Sequence, residues 1–410
     1  MEKYKIINDP IYGFIKIESQ IIYDLMNHKY FQRLRRISQL GLSYLVYPGA
    51  QHTRFQHALG SLHLMDKAIQ QLTNKGHEIT SKEQEALRIS ILLHDIGHGP
   101  FSHALENILV NEINHEKITL MFMKQLNVEF DGKLSLAIEI FKNTYKKKFL
   151  YQLVSSQLDM DRLDYLKRDS FYTGVTDGNI GTERIINMLN VANGNLVIEE
   201  KGIYSIEKFI LARRLMYWQV YLHKTVISSE NMLIKLIKRA KILLENKVEI
   251  FTTSNLKYFL SEDFAKDLKN NQIKVIEKFA ELDDYDIYFC LKKWQYSSDK
   301  ILSILSSNLL NRNINKIIIE NEKIEQNRII DIKNKVAKDF RLNDIEIDFL
   351  VIDNQVTNHV YDEEKSNINI LMKNNEVLDL AKASDHFNIK ALNNKTKKYF
   401  ISYPKLIDEN

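Results

Sequence analysis

The chain has 410 residues, 44% of them hydrophobic and 27% charged, with a formal net charge of +4. That length exceeds one minimal domain and supports a sizeable core, and so small a charge excludes a general electrostatic case for nucleic-acid binding. Cys290 is the only cysteine, which excludes an internal disulfide; Met1-Glu2-Lys3-Tyr4 lacks a signal-peptide run and no stretch of about 18 apolar residues offers a membrane span, so a cytoplasmic protein with no membrane partner is expected.

All thirteen glycines lie at or before Gly202, and three of the four prolines at or before Pro100. Sharp turns, where binding groups are usually presented, therefore concentrate in the first half. In chain order, Lys5–Ile17 reads as a short β-hairpin turning around Asp9 to Gly13. From Ser19 helical periodicity takes over: Phe31, Leu34, Ile37 and Leu40 share a face, with Gly41 as a C-cap. Helices are expected over about Phe55–Leu72 and Ser81–Ile96, the second ending at Gly97-His98-Gly99-Pro100, with a restart over Phe101–Val110. Tyr204 to about Leu244 reads as one long helix, or two with a break near Ile227-Ser228-Ser229. From about Asn313 the chain is rich in Asn, Lys and Ile; Ile345–Ile352 and Ile368–Leu371 read as strands and Arg328–Phe340 as a helix. The expected fold is mainly α, with a helical core over residues 1–312 that includes the short N-terminal hairpin, and a smaller C-terminal α/β lobe over residues 313–410.

Chemistry concentrates between Ser90 and His103, where a helix apolar through Leu93 runs into His94-Asp95 and then a Gly-rich turn carrying His98 and His103. Imidazole and carboxylate are the usual ligands of borderline first-row metals, and the two oxygens of Asp95 allow it to bridge two ions. An isolated His-Asp pair at a helix end is more often a satisfied buried pair. Three histidines and an aspartate within ten positions, around a Gly-Pro turn, favour a site. Further ligands must come from elsewhere. His52-Thr53-Arg54-Phe55-Gln56-His57 offers an imidazole three residues from a cation on one helical face, which suits a metal ligand beside a phosphate grip; a surface ion pair is the plain alternative for Arg54. Asp161, Asp164, Tyr165 and Asp169 fall near one stripe of a further helix. That stripe is either a solvated charged face or, since Leu158, Met160, Leu163 and Leu166 demand deep packing, a set of buried carboxylates that need partners such as a metal.

This ordered set resembles the HD-domain metal phosphohydrolases. Its longer strings resemble the deoxynucleoside triphosphate (dNTP) triphosphohydrolase branch, which includes bacterial members and the vertebrate SAM-and-HD-domain enzyme. The strings are Ile7-Asn8-Asp9-Pro10-Ile11 with Gly13, Phe31-Gln32-Arg33-Leu34-Arg35, Gln39-Leu40-Gly41, Pro48-Gly49-Ala50, Arg54-Phe55-Gln56-His57, His94 through His103, Asn114-His115-Glu116 and Asp161-Arg162-Leu163-Asp164-Tyr165. The likeness runs from about Lys5 to about Arg312 and weakens after Leu244.

The resemblance implies an HD-domain helical core and hydrolysis of a dNTP at the α-phosphorus by metal-activated water, giving deoxynucleoside and tripolyphosphate. It implies His57, His94, Asp95 and Asp161 as ligands of a divalent metal (Mn, Fe, Ni, Co or Zn), with Mg on the triphosphate. His103 matches the general acid for the leaving 5′-oxygen, Glu106 is placed to orient it, and His115 joins the catalytic set. Arg54, His98, His115 and Arg162 would meet the phosphates, Arg162 standing where the vertebrate enzyme has lysine. Arg213 matches a γ-phosphate contact, Tyr165 and Asp169 further substrate contacts, Gln39 and Leu40 the sugar, and Tyr217 and Tyr221 the sugar and base. An aromatic ring at Tyr221 against C2′ would exclude a ribose hydroxyl. For a nucleotide activator, Arg35 matches a guanine-reading arginine, while Asn27 replaces an aspartate and weighs against guanine-specific activation. Family members self-associate, which implies a homo-oligomer, dimer or tetramer. The competing readings are another HD phosphohydrolase (a nucleotidase or nucleotide phosphodiesterase) and a nucleotide or single-stranded nucleic-acid sensor. Lys146-Lys147-Lys148 beside Tyr145 and Phe149 is the local feature that would serve the last.

Overall fold

In the computed structural model, which describes residues 5–110, 113–358, 367–384 and 396–405, the chain is mainly helical, with a short N-terminal hairpin and small sheets toward the C-terminus. The hairpin pairs Lys5–Asp9 with Gly13–Ile17. Asp9 Oδ1 accepts from the amides of Ile11 and Tyr12 at 2.9 and 3.0 Å, and Gly13 takes φ +72°. Both are turn devices: the Asp side chain substitutes for a backbone acceptor, and only glycine enters that conformation without cost.

Three helices carry the site, and each starts where its sequence provides a cap. Arg54–Asn74 and Ser81–Leu93 open on capping boxes, Thr53 with Gln56 and Thr80 with Glu83. Met160–Thr173 opens on Asp159, whose side chain accepts from the Arg162 amide, and stops at Gly174 with φ +75°. The Arg54–Asn74 helix packs against both of the others. It can lie close to Met160–Thr173 because position 60 is glycine: a Cβ there would fall 1.9 Å from Asp164 Oδ1.

Four expected elements form differently, each for a local reason. The Phe31–Leu40 stretch is the short helix Lys29–Gln32 followed by the 3-10 turn Arg33–Arg36, because the fully buried Arg33 spends its guanidinium on the carbonyls of Leu282, Ile96 and His98. The Phe101–Val110 helix is broken into the 3-10 turn Ser102–Ala104 and the helix Glu106–Leu109, with Phe101 and Ser102 both at φ +54°. There the Phe101 amide donates to Asp284 Oδ1 at 2.8 Å. The long helix breaks at Leu222-His223 and not at the serines: Ile203–Met216 runs into a π-helical turn, Tyr217–Tyr221, and Lys224–Glu245 restarts with His223 Nδ1 accepting from the Thr225 amide at 3.2 Å. Ser228 and Ser229 stay helical because their buried hydroxyls find Asn315 O, Ser402 Oγ and Val226 O. Finally, the alternating Ile345–Ile352 stretch is a helix, Asp344–Leu350, started by the Asn343/Glu346 capping box, and the strand follows as Ile352–Asn358.

Beyond residue 313 the helix Gln326–Phe340 and the strand Asn369–Leu371 match expectation. That strand pairs in parallel with Asn195–Glu199, while Thr396–Tyr403 lies between Lys316–Glu320 and Ile352–Asn358. Among the described residues no helix is long and apolar enough to cross a membrane.

Candidate functional site

The three helices deliver His57, His94 and Asp161 to one point. Their ligand atoms lie within 4.8 Å of one another, so the group can hold a metal ion. His57 Nε2 is 3.2 Å from His94 Nε2 and 3.1 Å from Asp161 Oδ1, and His94 Nε2 is 3.6 Å from the same oxygen. Asp95 adjoins them, Oδ1 3.4 Å from His94 Nε2 and Oδ2 3.6 Å from His57 Nε2.

The hydrogen bonds behind the two rings decide what they present in front. His94 Nδ1 lies 2.6 Å from the Ile91 carbonyl, which can only accept, so that nitrogen carries the proton. His57 Nδ1 faces the Asp164 carboxylate at 2.7 Å and donates likewise. A neutral ring held in this way presents a lone pair at Nε2. Two such lone pairs and a carboxylate oxygen therefore converge, an arrangement that can hold a metal ion. The electrostatics show that positive charge is favoured at this point. Burial opposes a charged His57, but the carboxylates of Asp161, Asp164 and Asp95 outweigh it and push its pKa up to about 10. Burial likewise opposes charge on His94, and Asp95 and Asp161 raise its pKa. Asp161, although desolvated, is held well below the usual carboxylate range by the two imidazoles. Two imidazoles with carboxylates are a donor set suited to a first-row divalent metal.

This centre opens into a cavity of about 430 Å³. Asp95 and Asp161 line it with the cations Arg54 and Arg162 and with His98 and His115. Arg54 is 4% exposed, which replaces a surface ion pair with a buried one: Nη1 pairs with Asp95 Oδ2 and Nε donates to Ser102 Oγ at 2.8 Å. Burial and the Arg54 charge hold the His98 pKa well below its ordinary value, so His98 offers a hydrogen bond and not a charge. His98 and His115 stack at 4.0 Å, and Glu106 Oε1 accepts from His115 Nδ1 at 2.8 Å and from its amide at 2.6 Å. Gln39, Leu40, Tyr165, Asp169, Tyr217 and Tyr221 line the rest of the wall. Asp169 is held on both oxygens, by His52 Nε2 at 2.8 Å and by the Tyr221 hydroxyl at 2.7 Å.

Residues 54–169 match the HD domain and residues 180–259 the HD associated region. The chain is 30% identical to the uncharacterized protein YwfO of Bacillus subtilis over 94% of this chain and 88% of that one. A phosphohydrolase crystal structure from Bacteroides thetaiotaomicron is 51% identical, superposes with a TM-score of 0.95 and covers 98% of this chain and 100% of its own. The chain belongs to the HD-domain phosphohydrolase family. It is also 29% identical to the deoxynucleoside triphosphate triphosphohydrolase SAMHD1 homolog of Dictyostelium discoideum, over 79% of this chain and 67% of that one.

Seen as an HD phosphohydrolase, the chain brings most of the expected residues to one cavity but not all. Arg213 is 5% exposed and does not line it: it lies behind, beside Tyr165, with Nη1 3.3 Å from Gln157 Oε1. Arg35 and Asn27 also lie away from it; Arg35 stacks on Phe55 at 3.5 Å and donates to Gln32 Oε1, and Asn27 donates to the Tyr23 carbonyl. His103 sits in the 3-10 turn Ser102–Ala104, and its side chain lies outside the described residues. The lysine run offers no stacking platform: Tyr145 and Lys147 both bind Glu83, at 2.7 and 2.9 Å, and Phe149 is buried. The sequence reading did not single out Glu230, which also lines the cavity. Its signal was an acid among Val226, Ile227, Ser228, Ser229, Met232 and Leu233, all buried.

Proposed function

We propose that this HD phosphohydrolase hydrolyses dNTPs to deoxynucleoside and tripolyphosphate. The observation that carries the reading is one continuous cavity with metal donors and cations on one part of its wall and Gln39, Leu40, Asp169 and Tyr221 on another. A triphosphate needs the first part, and a deoxyribose fits the second. The likeness to the Dictyostelium enzyme supports the same substrate class.

In this reading His57, His94, Asp161 and the adjoining Asp95 hold a divalent ion of the Mn, Fe, Ni, Co or Zn kind. When bound, that ion supplies Lewis-acid polarisation and water activation at neutral pH. Arg54 and Arg162 neutralise phosphate oxygens, Arg162 lining the cavity while its Nη1 pairs with Asp159. Gln39, which lines the cavity, meets the sugar. His115, with Glu106 on its Nδ1, is oriented to pass a proton from Nε2 to the leaving 5′-oxygen alongside His103. Tyr221, fixed by Asp169, sets a wall against a 2′-hydroxyl.

The test is metal-stripped protein given each ion singly, with the four dNTPs alone and mixed and tripolyphosphate as the measured product. Tripolyphosphate that depends on added metal and is lost in Asp161→Ala is expected. Pyrophosphate or monophosphate as product would reject the reading in favour of another phosphohydrolase. Turnover in mixtures only would indicate a nucleotide activator, and sedimentation of the same samples tests assembly into a dimer or tetramer.

A further inference from the structure

Glu230 lies in the second turn of the Lys224–Glu245 helix, where that helix packs against the 3-10 turns Ser43–Leu45 and Ser102–Ala104. Its carboxyl faces the cavity and comes close to Gly41: a Cβ on Gly41 would be 3.5 Å from Glu230 Oε1. Neither a hydrogen bond nor an ion pair engages Glu230 among the described residues. Glu230 is half-buried, and an acid that faces the cavity with no protein donor leaves both carboxylate oxygens for a ligand. The other carboxylates of the cavity are accounted for, since Asp95 and Asp161 belong to the metal centre and Asp169 is held by His52 and Tyr221.

An acid repels phosphate, so the triphosphate cannot end at Glu230; it belongs with Arg54 and Arg162. Gly41 and the Phe101 backbone lie beside Glu230, and Leu40, Ala104 and Leu222 line the same cavity with the small residues Ser43 and Ser102. That surface suits a nucleobase, with the carboxylate to read it. We infer that Glu230 is the base-reading residue of the substrate cavity and selects guanine, whose N1–H and 2-amino group present two donors side by side to the two carboxylate oxygens. Adenine and cytosine present one amino group beside an acceptor, and thymine one N–H between two carbonyls, so each leaves a carboxylate oxygen unpaired or repelled. Two donors from a bound base supply what the protein around Glu230 does not.

The inference rests on the dNTP reading, and the experiment separates the two. Specificity constants for all four dNTPs, and equilibrium binding of each, are measured for the native protein and Glu230→Gln, with thermal melting as a check on folding. Glutamine offers one acceptor and one donor, the complement of adenine. Wild type is expected to favour dGTP, and Glu230→Gln to lower the dGTP-to-dATP ratio about tenfold or more. A uniform loss across the four substrates would mean a sugar contact or a structural role and overturns base reading, as does an unchanged ratio. Should the native protein release no tripolyphosphate, the hydrolysis reading falls. Base reading is then decided by the binding ratio, and equal or absent binding overturns it.

Discussion

Asp164 Oδ2 lies 2.7 Å from His57 Nδ1, and the same carboxylate receives Arg168 Nε at 2.9 Å and Nη2 at 3.1 Å. Arg168 Nη1 continues to Asp9 Oδ2 at 2.9 Å, so the hairpin turn, the Met160–Thr173 helix and the metal-facing imidazole form one buried chain of charge-assisted bonds. Replacing Asp164 by Asn keeps its shape and removes the charge that fixes the His57 tautomer. Metal affinity, read by titration of the stripped protein, is expected to fall about 10- to 100-fold. Unchanged affinity would mean that His57 needs no support from behind.

Gly60 faces that chain. In an ordinary helix interior Gly→Ala gains about 1 kcal/mol. Here the added methyl would meet Asp164 Oδ1 at 1.9 Å and Arg168 Nη2 at 2.3 Å, both on buried side chains. Gly60→Ala should therefore destabilise the fold by about 1–3 kcal/mol in denaturant unfolding. A gain in stability would show that the helices have room to part.

Tyr221 tests the sugar wall. Its hydroxyl donates to Asp169, and its ring packs edge-on to Tyr217 at 5.1 Å. Tyr221→Ala should raise the ribonucleotide-to-deoxynucleotide ratio of kcat/KM about tenfold while lowering turnover of both. Tyr221→Phe keeps the ring and should keep the discrimination. If alanine leaves the ratio where it was, the steric account of deoxy selectivity is wrong.

Acid sensitivity should trace in part to Glu83. Burial would raise this carboxyl, but Lys147, the Thr80 amide and the Tyr145 hydroxyl reverse that and hold it at about 2, against an ordinary 4.5. A depressed folded-state pKa stabilises the native state above the unfolded value, and that stability is lost as the pH falls from about 4.5 toward about 2. Melting temperatures measured down through this window should drop less steeply for Glu83→Gln than for the native chain. Parallel curves would assign the acid limb to other groups.

The candidate metal group His57, His94 and Asp161 was legible because its order along the chain is distinctive and because helix caps announce themselves locally, as Thr80 with Glu83 and Asp159 do. What stayed hidden depended on distant partners. Nothing near Phe101 announces Asp284, which binds its amide from 183 residues away, and nothing near Arg33 announces the carbonyls it binds. Glu106 was placed by its spacing from His103, yet its described bonds are to His115, nine residues on. The Asp344–Leu350 helix is a different kind of miss: its capping box was there to be seen, but the alternating apolar pattern outweighed it.

The π-helical turn carries a further consequence. The Leu222 amide reaches back five residues to the Tyr217 carbonyl at 2.7 Å, so this turn holds one residue more than an α-helix would. One extra residue shifts the angular phase of everything after it by about 100°. Across this turn Tyr217 and Tyr221 both line the cavity, while Arg213, in the regular helix before it, stays a layer behind. Deleting a single residue between 217 and 221 would make the stretch before the Leu222-His223 break α-helical and swing Tyr221 off the cavity wall. The cavity therefore depends on a deliberate slip in register, and a change that made this helix more regular would cost it its aromatic side.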